Sequence, residues 1–65
     1  SKEAKAAAVE AAGGLSAVAK AFQISPQAVW KWELVPPDRV LALESLCRGK
    51  VSRHEMRPDI FGLPP

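Results

Sequence analysis

Gln27, Trp30 and Lys31 stand three and four residues apart, a spacing that sets three side chains on one side of a helix, and they offer an amide, an indole and an ammonium group. An amide donates and accepts at once, which matches the adenine edge in a DNA major groove. An ammonium group can reach a guanine edge or a phosphate, and an indole ring can press on thymine methyl groups or on sugars. Each residue also has a plainer role open to it. Gln27 can be an exposed first-turn residue, Lys31 a solvated charge, and Trp30 part of the core or an anchor between subunits.

Such side chains do chemistry only if a short helix presents them. Ser25 can cap a helix through its hydroxyl, and Pro26 suits the first helical position, where no intrahelical N–H bond is lost. Val29 and Trp32 then face inward beside Ala28. Upstream, Leu15, Val18, Ala19 and Phe22 recur at i, i+3, i+4 and i+7, the pattern of one helix face. Residues 15–32 thus read as two helices joined by a break at Gln23-Ile24-Ser25. This is the helix-turn-helix arrangement that sets a second helix in the major groove.

The flanking residues predict three further helices. Residues 2–12 are alanine-rich, and Gly13-Gly14 supplies a left-handed stop, Gly14 doubling as a weak N-cap for the helix over 15–22. The helix that opens at Pro26 extends over 26–34 and ends before Pro36-Pro37, since a residue preceding proline is disfavoured in the helical region. Pro37 and Asp38 open a helix over 37–48, closed by a left-handed Gly49. Ser52 and Glu55 have the spacing of a capping box, so a short helix covers 53–57, with 58–65 an irregular strap in which Ile60 and Phe61 pack down. The competing reading of 50–61 is a β-hairpin, favoured by Val51, Ile60 and Phe61 but opposed by Pro58. The expected core is Leu15, Val18, Phe22, Ile24, Val29, Trp32, Val40, Leu43 and Leu46.

Sixty-five residues make one domain near the lower size limit for a core without disulfide or metal. Apolar residues are 48%, but many are alanines that add little volume, so support from a second subunit is a reasonable expectation. A net charge of +2 is modest, and placement rather than bulk charge must carry any nucleic-acid reading. The lone Cys47 excludes an internal disulfide, and with His54 it is too sparse for zinc; a small, partly buried role in a reducing compartment is expected. Lys2, Glu3, Lys5 and Glu10 interrupt the alanine-rich start, which excludes a membrane span or signal core there and points to a cytoplasmic protein. One histidine, one cysteine and no enclosed carboxylate pair leave no credible catalytic set, so no enzyme, cofactor or small-molecule ligand is expected.

In order and spacing, the segments AAGGLSAVAKAFQISPQAVWKW, VPPDRVLALE and GKVSRHEMRPDIF resemble the small Cro-type phage repressors and the related YdaS-like antitoxin family. The likeness covers nearly the whole chain. It implies an all-α, five-helix domain of the lambda-repressor/Cro helix-turn-helix type, the alternative being an α+β Cro fold with a C-terminal hairpin. It further implies that Ala19 is the small residue where the second and third helices cross, that Val29 is buried, and that Pro26, Gln27, Trp30 and Lys31 face DNA bases. The chain departs from the family at Gln23, where glycine is usual, and at Trp30, where a small or polar residue is usual. Gln23 must therefore take a left-handed backbone at some cost, or the turn must relax.

Phosphates would be held at the start of the second helix by Leu15 and Ser16, where free N–H groups and the helix dipole favour an anion. Ser25, Lys20 and Arg39 would flank them, although Arg39 could instead pair with a carboxylate inside the protein. Arg57 is expected to act structurally, on Glu44 or on carbonyls of the fourth helix. The function these readings imply is a Cro-like repressor binding a two-fold operator in double-stranded DNA as a homodimer, half-sites about 34 Å apart. An antitoxin or accessory protein that acts by binding another protein is the alternative.

Overall fold

The computed structural model describes residues 2–64. Ser1 and Pro65, the ends of the expected 1–65 domain and the last residue of its strap, lie outside them. The order is α1 (Lys2–Ala11), α2 (Leu15–Phe22), α3 (Pro26–Lys31), a 3-10 turn at Pro37–Arg39 running straight into α4 (Val40–Leu46), then α5 (Arg53–Met56) and α6 (Pro58–Phe61). The described residues contain no strand, so the hairpin alternative for 50–61 is overturned. The Ser52 hydroxyl accepts the Glu55 N–H at 3.2 Å and starts a helical turn where a strand would have had to run.

Several expected boundaries need correction. The third helix stops at Lys31 rather than at residue 34, because Trp32 turns extended (ψ 124°) and carries the chain toward a fully buried Val35. The fourth begins as a 3-10 turn and closes at Leu46 rather than at residue 48. Residues 58–61 are not irregular: Pro58 occupies the first position of a sixth helix, as Pro26 does in α3. A proline that forbids continuation of α5 is also well shaped to begin α6.

Three helices end in the same way, with paired bonds that wrap the last turn. After α1, Gly13 N–H donates to Glu10 at 3.0 Å and Gly14 N–H to Val9 at 2.9 Å; after α2, Gln23 donates to Lys20 at 3.2 Å and Ile24 to Ala19 at 3.0 Å. After α4, Arg48 donates to Ser45 at 3.0 Å and Gly49 to Glu44 at 2.9 Å. The residue that turns left-handed is Gly13 (φ 111°) in the first case but Gln23 (φ 59°) and Arg48 (φ 56°) in the others. Gln23 thus adopts the strained alternative, and Arg48 begins the left-handed turn that was expected of Gly49 alone.

The core gathers Val18, Ala19, Val29, Val35, Val40, Leu43, Cys47 and Met56 with Ala8, Val9 and Val51. Leu15, Phe22, Ile24 and Trp32 pack against it half-buried rather than at its centre. Leu46 is not core, being 39% exposed. At about 100° per residue, Leu46 falls some 120° from Val40, while Cys47 returns to within about 20° of it and takes the buried place.

Two charge clasps fasten the C-terminal helices. Glu44 of α4 accepts from the Arg53 backbone N–H at 2.6 Å and pairs with its guanidinium at 2.9 Å, so an α4 carboxylate caps the start of α5. Those Arg53 bonds hold the Glu44 carboxyl below the ordinary glutamate value. Arg57 is structural as expected, but its partners differ: it forks onto Asp59 at 2.8 and 3.0 Å and donates to the Val35 carbonyl at 2.9 Å. The Arg57 bonds likewise lower the Asp59 carboxyl, and the Asp59 bonds raise the Arg57 guanidinium.

Candidate nucleic-acid interface

Local chemistry fixes α3 before tertiary packing does. Ser25 Oγ accepts the Ala28 N–H at 3.1 Å, and Pro26 fills a position whose N–H would have had no helical partner. Val29 then anchors α3 in the core, buried as the family resemblance implied, and Ala19 of α2 is buried in the same cluster. With Val29 inward, Pro26, Gln27, Trp30 and Lys31 are all exposed, Trp30 at 69%. The four expected base-contact residues therefore share the outer side of one short helix.

The expected phosphate residues divide. Ser16, Lys20 and Ser25 are exposed and Leu15 is half-buried, so the first turn of α2 lies at the surface. Gly14 caps α2 without a side-chain bond, and the first intrahelical bond runs from Val18 N–H to Gly14 at 3.1 Å. The N–H groups of Leu15, Ser16 and Ala17 thus have no partner within the helix. The Ser25 hydroxyl, by contrast, is engaged as the cap of α3. Arg39 lies half-buried with its guanidinium 4.9 Å from the centre of the Phe22 ring, which in turn is 6.2 Å from the Trp32 ring. It pairs with an aromatic face rather than with an internal carboxylate, and its charge is held beside the C-terminal end of α2.

Trp30 stands between two surface grooves. One is lined by Lys5, Val9, Glu10, Gly14 and Leu15, and so joins the Trp30 ring to the start of α2. The other is lined by Lys2, Lys5, Lys31, Trp32 and Glu33. Lys5 Nζ donates to the Trp30 carbonyl at 3.3 Å, placing a cation at the negative end of α3. Sequence reasoning brought Leu15 and Trp30 separately to the interface, and the fold brings them to one concavity. It did not foresee that Lys2 and Lys5 line the grooves beside Trp30. The available signal was their own spacing of three, on the face of the first helix that also carries Val9.

This geometry defines an all-helical domain that presents a short, capped helix and its neighbours' cations on one surface. The chain belongs to the family described as Bacterial toxin YdaS, which it matches over residues 6–65. It is 40% identical over 52 residues to the protein of Escherichia coli (strain K12) named "Putative transcriptional regulator YdaS". That match covers 74% of this chain and 53% of the relative, so the chain spans about half the relative's length. No solved structure matches the chain.

Proposed function

We propose that the chain is a sequence-specific, double-stranded DNA-binding transcriptional regulator, a repressor of the Cro type that sets α3 in the major groove. The observation that carries this reading is the exposure of Pro26, Gln27, Trp30 and Lys31 together on a helix whose opposite side is locked into the core by Val29. Gln27 pairs an adenine edge, Trp30 presses on thymine methyl groups or sugars, and Lys31 reaches a guanine edge or a phosphate. Leu15 and Ser16 hold a phosphate through the open first turn of α2, with Lys20, Ser25 and Arg39 flanking. The relative named as a transcriptional regulator supports the same reading. A two-fold dimer on a palindromic operator follows from it, since one such helix reads only a few base pairs. The work is done where the DNA is, in the cytoplasm.

Operator binding measured against salt tests the proposal. Sites selected from random duplexes should bind far more tightly than bulk DNA, with affinity falling linearly in log salt. Equal affinity for every duplex at each salt concentration would sink it. The family description as a toxin favours a second reading, in which the chain acts by binding another protein. Stable co-purification with the product of a neighbouring gene, in the absence of any preferred DNA site, would establish that reading instead.

A further inference from the structure

The groove between α1 and the end of α3 brings together three lysines that are far apart in the chain. Lys2 and Lys5 project from successive turns of α1, and Lys31 closes the far side, with the Trp30 ring and Glu33 at the rim. The ion pairs among the described residues are Arg53 with Glu44 and Arg57 with Asp59, so none of the three lysines has a carboxylate pair there. Glu33 sets one negative charge against three positive ones. A surface with that balance attracts an anion, and Lys5 is turned toward α3 by its bond to the Trp30 carbonyl.

The groove is continuous with the outer face of α3, since Trp30 and Lys31 belong to both. Whatever holds α3 by that face must run past Lys2 and Lys5. For a duplex, the part flanking a helix in the major groove is the sugar-phosphate strand. We infer that Lys2 and Lys5 of α1, with Lys31, each meet a backbone phosphate of the same duplex, making a second run of phosphate contacts placed across Trp30 from the start of α2. This rests on the proposed DNA-binding function. It also assigns Lys31 to phosphate rather than to a guanine edge. The protein would then grip the strands on both sides of the helix it inserts, with Trp30 between the two grips.

The inference predicts sequence-independent losses. In a Lys2→Gln, Lys5→Gln double variant, the slope of log affinity against log salt should become shallower by about 2, at about 0.9 for each phosphate no longer neutralised. The probes are a duplex selected by the native chain and a random-sequence duplex of equal length, and affinity for both should fall in parallel, leaving their ratio unchanged. Lys2→Gln alone leaves the Lys5 bond to Trp30 intact and should produce about half the slope change, and Lys5→Arg should keep the native slope. Lys31→Gln should likewise lower both affinities together. A double variant that keeps native affinity and slope on both duplexes overturns the second run of phosphate contacts while leaving the α3 reading standing. A variant that loses selectivity without weaker binding to the random duplex also overturns it, because the lysines would then be aligning α3 rather than meeting phosphate. A native chain that prefers no duplex defeats the function itself.

Discussion

Gln27 lies on the first turn of α3 with its amide in solvent, so its removal should cost binding and not folding. Gln27→Ala is expected to lower discrimination at one or two base pairs by about 1–3 kcal/mol, with an unchanged melting temperature. Binding of a selected duplex and of its single-base variants checks it. If affinity and discrimination both match the native chain, α3 does not read bases through Gln27. Gln23 presents the converse case, a residue whose backbone matters more than its side chain. It holds φ 59°, ψ 43°, a conformation that glycine enters without a clash at Cβ. Gln23→Gly should stabilise the chain by up to about 1 kcal/mol, the relief of left-handed strain being partly offset by the greater entropy of an unfolded glycine. A denaturation midpoint that falls would show that the Gln23 side chain contributes more than its backbone costs.

Among the elements, those written in local chemistry were legible in the sequence. Ser25-Pro26 specified the start of α3, Ser52 with Glu55 the start of α5, and the 15, 18, 19, 22 spacing the buried face of α2. The end of α3 was not legible, because Trp32 leaves the helix to let Val35 reach the core, a tertiary gain with no local signal. Pro58 was read for what it forbids, and its aptness to begin α6 went unused. At the candidate interface, the outer face of α3 followed from counting residues. The placing of α1 beside it did not, since Lys5 meets the Trp30 carbonyl across 25 residues of chain. The α4–α5 clasp makes a prediction of its own. Because the Glu44 carboxyl is lowered in the folded chain, the clasp adds stability above the ordinary glutamate value of about 4.3, and that stability is lost as pH falls through the lower folded-state value. Between about pH 7 and pH 3 the melting temperature of the native chain should therefore fall more steeply than that of Glu44→Gln. Parallel curves would mean that the pair forms without contributing.

For the molecule as a whole, thinness of the core is the governing fact. A chain of 65 residues has a total stability of about 3–10 kcal/mol. Leu43, fully buried, is the largest of its sealed side chains. Leu43→Ala should cost about 2–5 kcal/mol, enough to leave much of the population unfolded, whereas Leu63→Ala, at a position 82% exposed, should change the denaturation midpoint very little. Equal effects from the two would mean that the core is not where the burial pattern puts it. Core membership was partly legible: Val18, Val29, Val40 and Leu43 were expected, while Val35 and Val51 enter through irregular segments and Met56 through a single-turn helix, all too short to show a period.

The place of Cys47 has a practical corollary. Its thiol is sealed at 1% exposure, with the Glu44 carbonyl at 3.3 Å and the Val51 carbonyl at 3.5 Å as alternative acceptors for its one S–H, at the point where α4 meets the α5 segment. With one sulfhydryl in the chain, alkylation by a small reagent can proceed only when that junction opens, so the labelling rate is a clock for its opening. Comparing that rate with and without a bound duplex would time how far a partner held by α3 steadies the α4–α5 junction.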